Sequence, residues 1–117
     1  MNLRSFLRTA RDLERHLHGH HTIEERFIFP LLAQRMPEFK VEHIAEHNFM
    51  HAQLDRYAAY LDGVMAEPSK YNPDDLRRIM AELGPILFYH LDAEVETLRA
   101  DNLRRYYTLA EVRTLPM

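Results

Sequence analysis

Apolar residues recur along most of this chain at intervals of three and four, the period of a helix with one buried face. The breakers are few and divide the pattern cleanly. The run Glu67-Pro68-Ser69-Lys70-Tyr71-Asn72-Pro73-Asp74 is the strongest loop, and Met36-Pro37-Glu38 is a shorter break. Three long helices are predicted, over about 3–35, 39–66 and 73–105, with a short helix from Leu109 to about Arg113. The third begins with Asn72 as N-cap, Pro73 in the first helical position and Asp74-Asp75 in the first turn. β-Branched residues are sparse and no stretch alternates, so no strand is predicted. Pro30 removes a helix donor and crowds the turn before it, so a kink or an early stop is expected there. Pro85, next to Gly84, marks a second candidate kink.

Each long segment carries an apolar stripe, and each stripe is interrupted in its middle by two polar residues four apart. The first runs Phe6, Leu13, Leu17, His20, Glu24, Phe27, Leu31. The second runs Ile44, His47, His51, Leu54, Ala58, Leu61, and the third Leu76, Met80, Leu83, Leu87, His90, Glu94, Leu98. Residues four apart share a helix face. Burying such groups without partners costs a few kcal/mol each. A chain that does this on three helices needs a common compensation, and a metal at the bundle centre supplies it. Neutral imidazole and carboxylate suit iron or manganese, and facing bundle helices can hold two such ions.

His20, Glu24, His47, His51, His90 and Glu94 are therefore the candidate ligands. His21 and Glu25 have the same spacing as His20 and Glu24 and compete with them. They lie one residue, about 100°, around the helix, and the phase of Leu13, Leu17, Phe27 and Leu31 favours His20 and Glu24. In the bland alternative each histidine is a hydrogen-bonded core residue or one half of a surface pair. Three such pairs, one per helix, weigh against it. His16, His18 and His43 are assigned to the rim or surface.

Composition narrows the reading further. The 117 residues fit one domain, taken as 1–117, with a core that needs no staples. The net charge of -3 argues against a nucleic-acid partner. The absence of cysteine excludes disulfides, thiolate metal sites and cysteine nucleophiles. No apolar run reaches the ~20 residues of a membrane span, and the N-terminal residues lack a signal core. No membrane partner and a cytoplasmic location are the expectations.

At the candidate ligands the chain resembles the hemerythrin-like family, the HHE cation-binding domains. The stretch His20-His21-Thr22-Ile23-Glu24-Glu25-Arg26-Phe27-Ile28-Phe29-Pro30 is similar to the family's HHxxEExxxFP signature. Glu46-His47 with His51, and His90-Leu91-Asp92-Ala93-Glu94, resemble its later ligand helices. The resemblance implies an all-α bundle enclosing two iron ions bridged by oxo or hydroxo and carboxylate groups, with manganese or zinc as alternatives. It implies terminal ligands at His20, His47, His51 and His90 and bridging carboxylates at Glu24 and Glu94.

The family carries a further histidine on an earlier helix, and this chain begins about where the family's second helix begins. The expected fold is three long antiparallel helices plus a short C-terminal one, with the fourth wall supplied by a partner chain, most simply in a homodimer. The leading functional expectation is a non-haem di-iron protein that binds O₂ or a related small ligand as carrier, sensor or iron handler. The alternatives are a di-iron oxidoreductase or oxygenase on the same site, and a metal-free helical oligomerisation module. Tyr57, Tyr60 and Tyr89 are candidates to hydrogen-bond a bound oxygen species.

Overall fold

A computed structural model describes residues 2–116. Its long elements are α1 (Leu3–Ile23), α3 (Glu42–Ala66) and α4 (Pro73–Thr97). A π-helical turn, Glu24–Ile28, joins α1 to the short α2 (Phe29–Ala33). The tail forms α5 (Ala100–Leu103) and α6 (Leu109–Val112). There is no strand among the described residues, and none of their helices is long and apolar enough to cross a membrane.

The expected helix starts are present. Asn72 accepts a hydrogen bond from the Asp74 amide at 2.9 Å and caps α4. Asn2 does the same for Ser5 at the start of α1. Thr108 and Glu111 form a reciprocal capping box on α6. Pro85 does not end its helix, because α4 runs through it to Thr97.

Pro30 acts differently. It has no N–H to give to the Arg26 carbonyl, and its ring crowds that turn. The backbone responds by widening: the Phe29 amide bonds Glu24 five residues back instead of four. One extra residue enters the turn, so the buried stripe jumps from Glu24 to Phe29, Leu32 and Met36. A continuous helix would have brought Ile28 and Leu31 to that face. This corrects the expected stripe of the first helix, in which Phe27 and Leu31 were to be buried: Phe27 is 65% exposed.

The three long helices run antiparallel. Arg11 near the start of α1 reaches Asp62 near the end of α3, while Glu25 pairs with His47 near the start of α3. Arg56 pairs with Glu82 across α3 and α4, and Glu46 with His90. α3 is the central helix. α1 and α4 both pack on it, and they meet one another through side chains rather than by close backbone approach. The result is a rod of 55 × 22 × 21 Å.

The core has two apolar parts. The upper one gathers Leu7, Ala10, Met50, Leu54, Tyr57, Leu61, Val64, Leu76 and Leu83. The lower one gathers Phe29, Leu32, Met36 and Phe39, closed by Leu98, Leu103, Tyr106, Tyr107 and Leu115 from α4 and the tail. Arg35 fastens the tail: it lies over the Tyr107 ring at 4.9 Å, donates to the Tyr106 carbonyl at 3.1 Å and pairs with Glu111. Between the two apolar parts lies a layer of buried titratable side chains.

Candidate metal centre

That layer comprises His21 and Glu24 from the first helix, His43 and His47 from α3, and His90 and Glu94 from α4, all buried. Each occupies a core position of its helix. On α3 the apolar sequence Met50, Leu54, Tyr57, Leu61, Val64 steps by four and three. Continued backwards, the same steps reach His47 and then His43. On α1, Leu7, Ala10, Glu14, Leu17, His21, Glu24 follow the same rule. Glu14 is the other buried acid on that face, with Arg11 at 3.3 Å and His18 at 2.6 Å.

Glu24, His47, His90 and Glu94 each bring one nitrogen or oxygen to a common point, all within 4.8 Å of one another. The individual atoms identify themselves. Glu24 Oε1, His47 Nε2, His90 Nε2 and Glu94 Oε1 are fully buried and have no hydrogen-bond partner. Close approaches exist, with His20 Nε2 at 2.9 Å and His47 Nε2 at 3.4 Å from Glu24 Oε1 and His90 Nε2 at 3.3 Å from Glu94 Oε1, but none is aligned as a hydrogen bond. Buried polar atoms are nearly always paired. Four unpaired ones pointing at one another form a cage for a cation, which alone would satisfy two nitrogen and two oxygen lone pairs together.

The far nitrogens of the two histidines are held. His47 Nδ1 donates to Glu25 Oε1 at 3.1 Å, and His90 Nδ1 donates to Glu46 Oε1 at 3.1 Å. Each carboxylate takes a second histidine. Glu25 accepts from His51 Nε2 at 2.5 Å, and Glu46 from His43 Nδ1 at 2.7 Å. His43 is anchored in turn by Thr97 Oγ1 at 2.9 Å from its Nε2. These bonds put the proton of His47 and His90 on Nδ1 and leave Nε2 free to face the cage.

Electrostatics agree with a site built for positive charge. Burial raises the Glu24 carboxyl; His47 and His20 offset part of this, and the neighbouring Glu94 adds to it. Burial works against Glu94 ionising too, but His90 first and Glu24 second outweigh it and bring the group down to about 2. Two carboxylates this close oppose each other's ionisation, and a cation between them would remove that opposition. For His21, burial first and then the neighbouring histidines push the ring down to about 4, leaving it neutral near pH 7. For Glu25, burial is outweighed by the bonds from His51 and His47, which lower its carboxyl.

The six residues singled out by spacing are placed as follows. Glu24, His47, His90 and Glu94 converge. His20 sits at the edge, its side chain 56% exposed, with Nε2 2.9 Å from Glu24 Oε1. His51 is turned to Glu25 and away from the cage. Of the competing pair, His21 is buried, its ring 4.4 Å from that of His47 and its Nδ1 without a partner. Glu25 lies outside, as the acceptor described above.

Two residues escaped the sequence reading. His43 was assigned to the rim but is buried, and Glu46 was noted only as part of the Glu46-His47 pair. The three–four step on α3 was the signal for His43. Nothing local marks Glu46, whose partner His90 lies 44 residues away. The tyrosine expectation is also corrected. Tyr57 donates to the Ala10 carbonyl at 2.8 Å, Tyr60 bonds the Asn72 backbone at 3.0 Å, and Tyr89 is exposed.

This fold and this ligand set define a family, and comparison with known proteins agrees. The family model of the hemerythrin HHE cation binding domain matches residues 2–100, and the chain belongs to that family. It is similar to the dimeric xanthone biosynthesis cluster protein R11 of Cryptosporiopsis sp. (strain 8999), at 30% identity over 90 residues, 75% of this chain and 33% of that protein. The chain thus spans about a third of the length of this relative. No solved structure matches.

Proposed function

We propose that this chain binds a non-haem di-iron centre that interacts with O₂ or a related small species. The four buried, unpartnered atoms of Glu24, His47, His90 and Glu94 support the binding of a cation, and the second ion and the choice of iron rest on the resemblance to the family. In it His47, His90, Glu24 and Glu94 would hold the metal, and His20 and His21 are the nearest further donors. Iron held this way supplies one-electron redox chemistry and an open position for a small ligand. The protein's own part is to orient and to exclude water. Glu25 and Glu46 fix the ring orientation and tautomer of His47 and His90. Phe29 packs at 4.7 Å on the His47 ring, and Met50, fully buried, belongs to the upper apolar core.

The test is elemental analysis of protein purified from iron-supplemented cells, beside a His47→Ala/His90→Ala variant. Two iron ions per chain in the parent and none in the variant are expected. Absence of transition metal from the parent would sink the proposal and favour the metal-free module. Glu46→Gln is expected to lower metal affinity by about 10–100-fold without removing a ligand, checked by competition with a chelator of known affinity.

An enzymatic role on the same site is favoured by one observation, an apolar cavity that reaches Glu24 and Glu94. Adding dioxygen to reduced protein separates the two readings. A reversible optical band marks a carrier or sensor, and irreversible oxidation or turnover marks an oxidase or oxygenase.

A further inference from the structure

α3 and α4 leave a second groove, of about 500 Å³, between them, and no residue of α1 enters its lining. Pro85 and Ile86 give it an apolar wall. Phe49 and Tyr89 line it as well, and at 66% and 69% exposure both rings are open to a ligand. His90 is buried behind it, and the half-buried Glu46 carboxylate is its charged group.

The charge pattern selects the occupant. No lysine or arginine lines the groove. Arg56, two turns beyond Phe49 on α3, is already paired with Glu82. Glu42, one turn before Glu46 on the same face, is exposed and adds a second negative charge. Both hydrogen bonds that Glu46 accepts, from His43 and His90, fall on Oε1, and Oε2 takes neither. An anion in this groove would meet charge of its own sign. A neutral apolar molecule would strip water from the carboxylate and return nothing. A bare metal ion would find one carboxylate among apolar walls. An organic cation fits all of it: its charge replaces the water at Glu46, its carbon atoms rest on Pro85 and Ile86, and the faces of the two exposed rings attract it.

We propose that the α3–α4 groove binds a small alkylated ammonium ion, with its charge beside Glu46 and its alkyl groups against Phe49, Tyr89, Pro85 and Ile86. The site does not rest on the metal reading, because none of its features needs the cage to be filled. The two sites are nonetheless one hydrogen bond apart, since Glu46 Oε1 also holds His90 Nδ1 at 3.1 Å.

The experiment is equilibrium dialysis of the purified protein against radiolabelled choline. The competitor is choline's uncharged isostere, in which carbon replaces the ammonium nitrogen. Both carry the same hydroxyl, so the comparison isolates the charge. Saturable choline binding is expected, with the isostere competing at least about tenfold more weakly. Phe49→Ala and Tyr89→Ala remove exposed rings that the fold does not need, and each is expected to weaken binding by about 2–5-fold. The double variant is expected to weaken it by about tenfold or more. Glu46→Gln keeps the shape of the groove and removes its charge, with a loss of at least about tenfold expected. Phe27→Ala removes an equally exposed ring outside the groove and is expected to leave binding unchanged.

Absence of saturable binding to the parent, equal competition by the uncharged isostere, or unchanged binding in the Phe49→Ala/Tyr89→Ala double variant overturns the proposal. So does a dimer in light scattering that the double variant splits into monomers, because a second copy then fills the groove.

Discussion

Glu94→Leu is expected to abolish stable metal loading and, in the same protein, to make the metal-free form more stable. The two effects have one cause. Glu94 is buried with an oxygen that finds no hydrogen bond inside the protein. A buried unsatisfied group costs about 1–3 kcal/mol, more when charged. Leucine fills nearly the same space on α4 without that cost, and it relieves Glu24 of a like-charged neighbour. The variant loses one of the two carboxylates of the cage and leaves three of its four converging donors. Metal content, measured after gel filtration, should fall from stoichiometric to background. Urea unfolding of the metal-free proteins should show a gain of about 1–3 kcal/mol for the variant. A less stable variant would mean that Glu94 is a satisfied structural partner of His90, and that the cage owes nothing to a cation.

Phe29→Ala is expected to cost about 3–5 kcal/mol, a large share of the roughly 5–15 kcal/mol that holds a domain folded. Phe29 is 1% exposed and lies where three elements meet. Its ring packs on Phe39 of the short turn before α3 at 5.2 Å and on His47 at 4.7 Å. Truncation opens a void under the metal layer and frees His47 to move, so weaker metal retention should accompany the lost stability. The control is Phe27→Ala. Phe27 is exposed, and its removal should change stability by no more than about 0.5 kcal/mol. The contrast between the two tests the π turn itself. If the helix were continuous through Pro30, Ile28 and Leu31 would fill the position that Phe29 now holds, and truncating Phe29 would cost little. Urea midpoints of the two variants decide it.

The site was legible in the sequence to different depths on the three helices. On α4 the steps through Leu83 and Leu87 led to His90 and Glu94, and both converge, although Met80, expected on the same stripe, is 40% exposed. On α3 the steps were regular, but Ile44 and His51 blurred the phase. His47 was assigned to the buried face; His43 was missed and His51 was counted with it. On α1 the reading faltered for a physical reason. Phe6, Leu13, Ile23 and Phe27 give the helix an apolar strip wider than its contact with α3, and Leu13, Ile23 and Phe27 stay exposed. Two phases were therefore compatible with the residues, one favouring His20 and the other His21. The structure places His21 inside and His20 at the edge, with Glu24 common to both.

By itself the sequence determined the elements and the chemistry. Three amphipathic helices, their caps, the loop before Asn72 and the disturbance at Pro30 follow from local periodicity and from what proline cannot donate. The demand for a cation follows from placing histidine and glutamate in apolar stripes on all three helices, because each helix must bury its stripe. Only the tertiary structure decided which atoms meet. It set the five-residue step that carries the core from Glu24 to Phe29, since a backbone can relieve a proline in more than one way. It paired Glu46 with His90 and Glu25 with His47, because partners on different helices leave no mark in local spacing. It also kept the α1 and α4 backbones apart, so that an apolar groove borders Glu24 and Glu94.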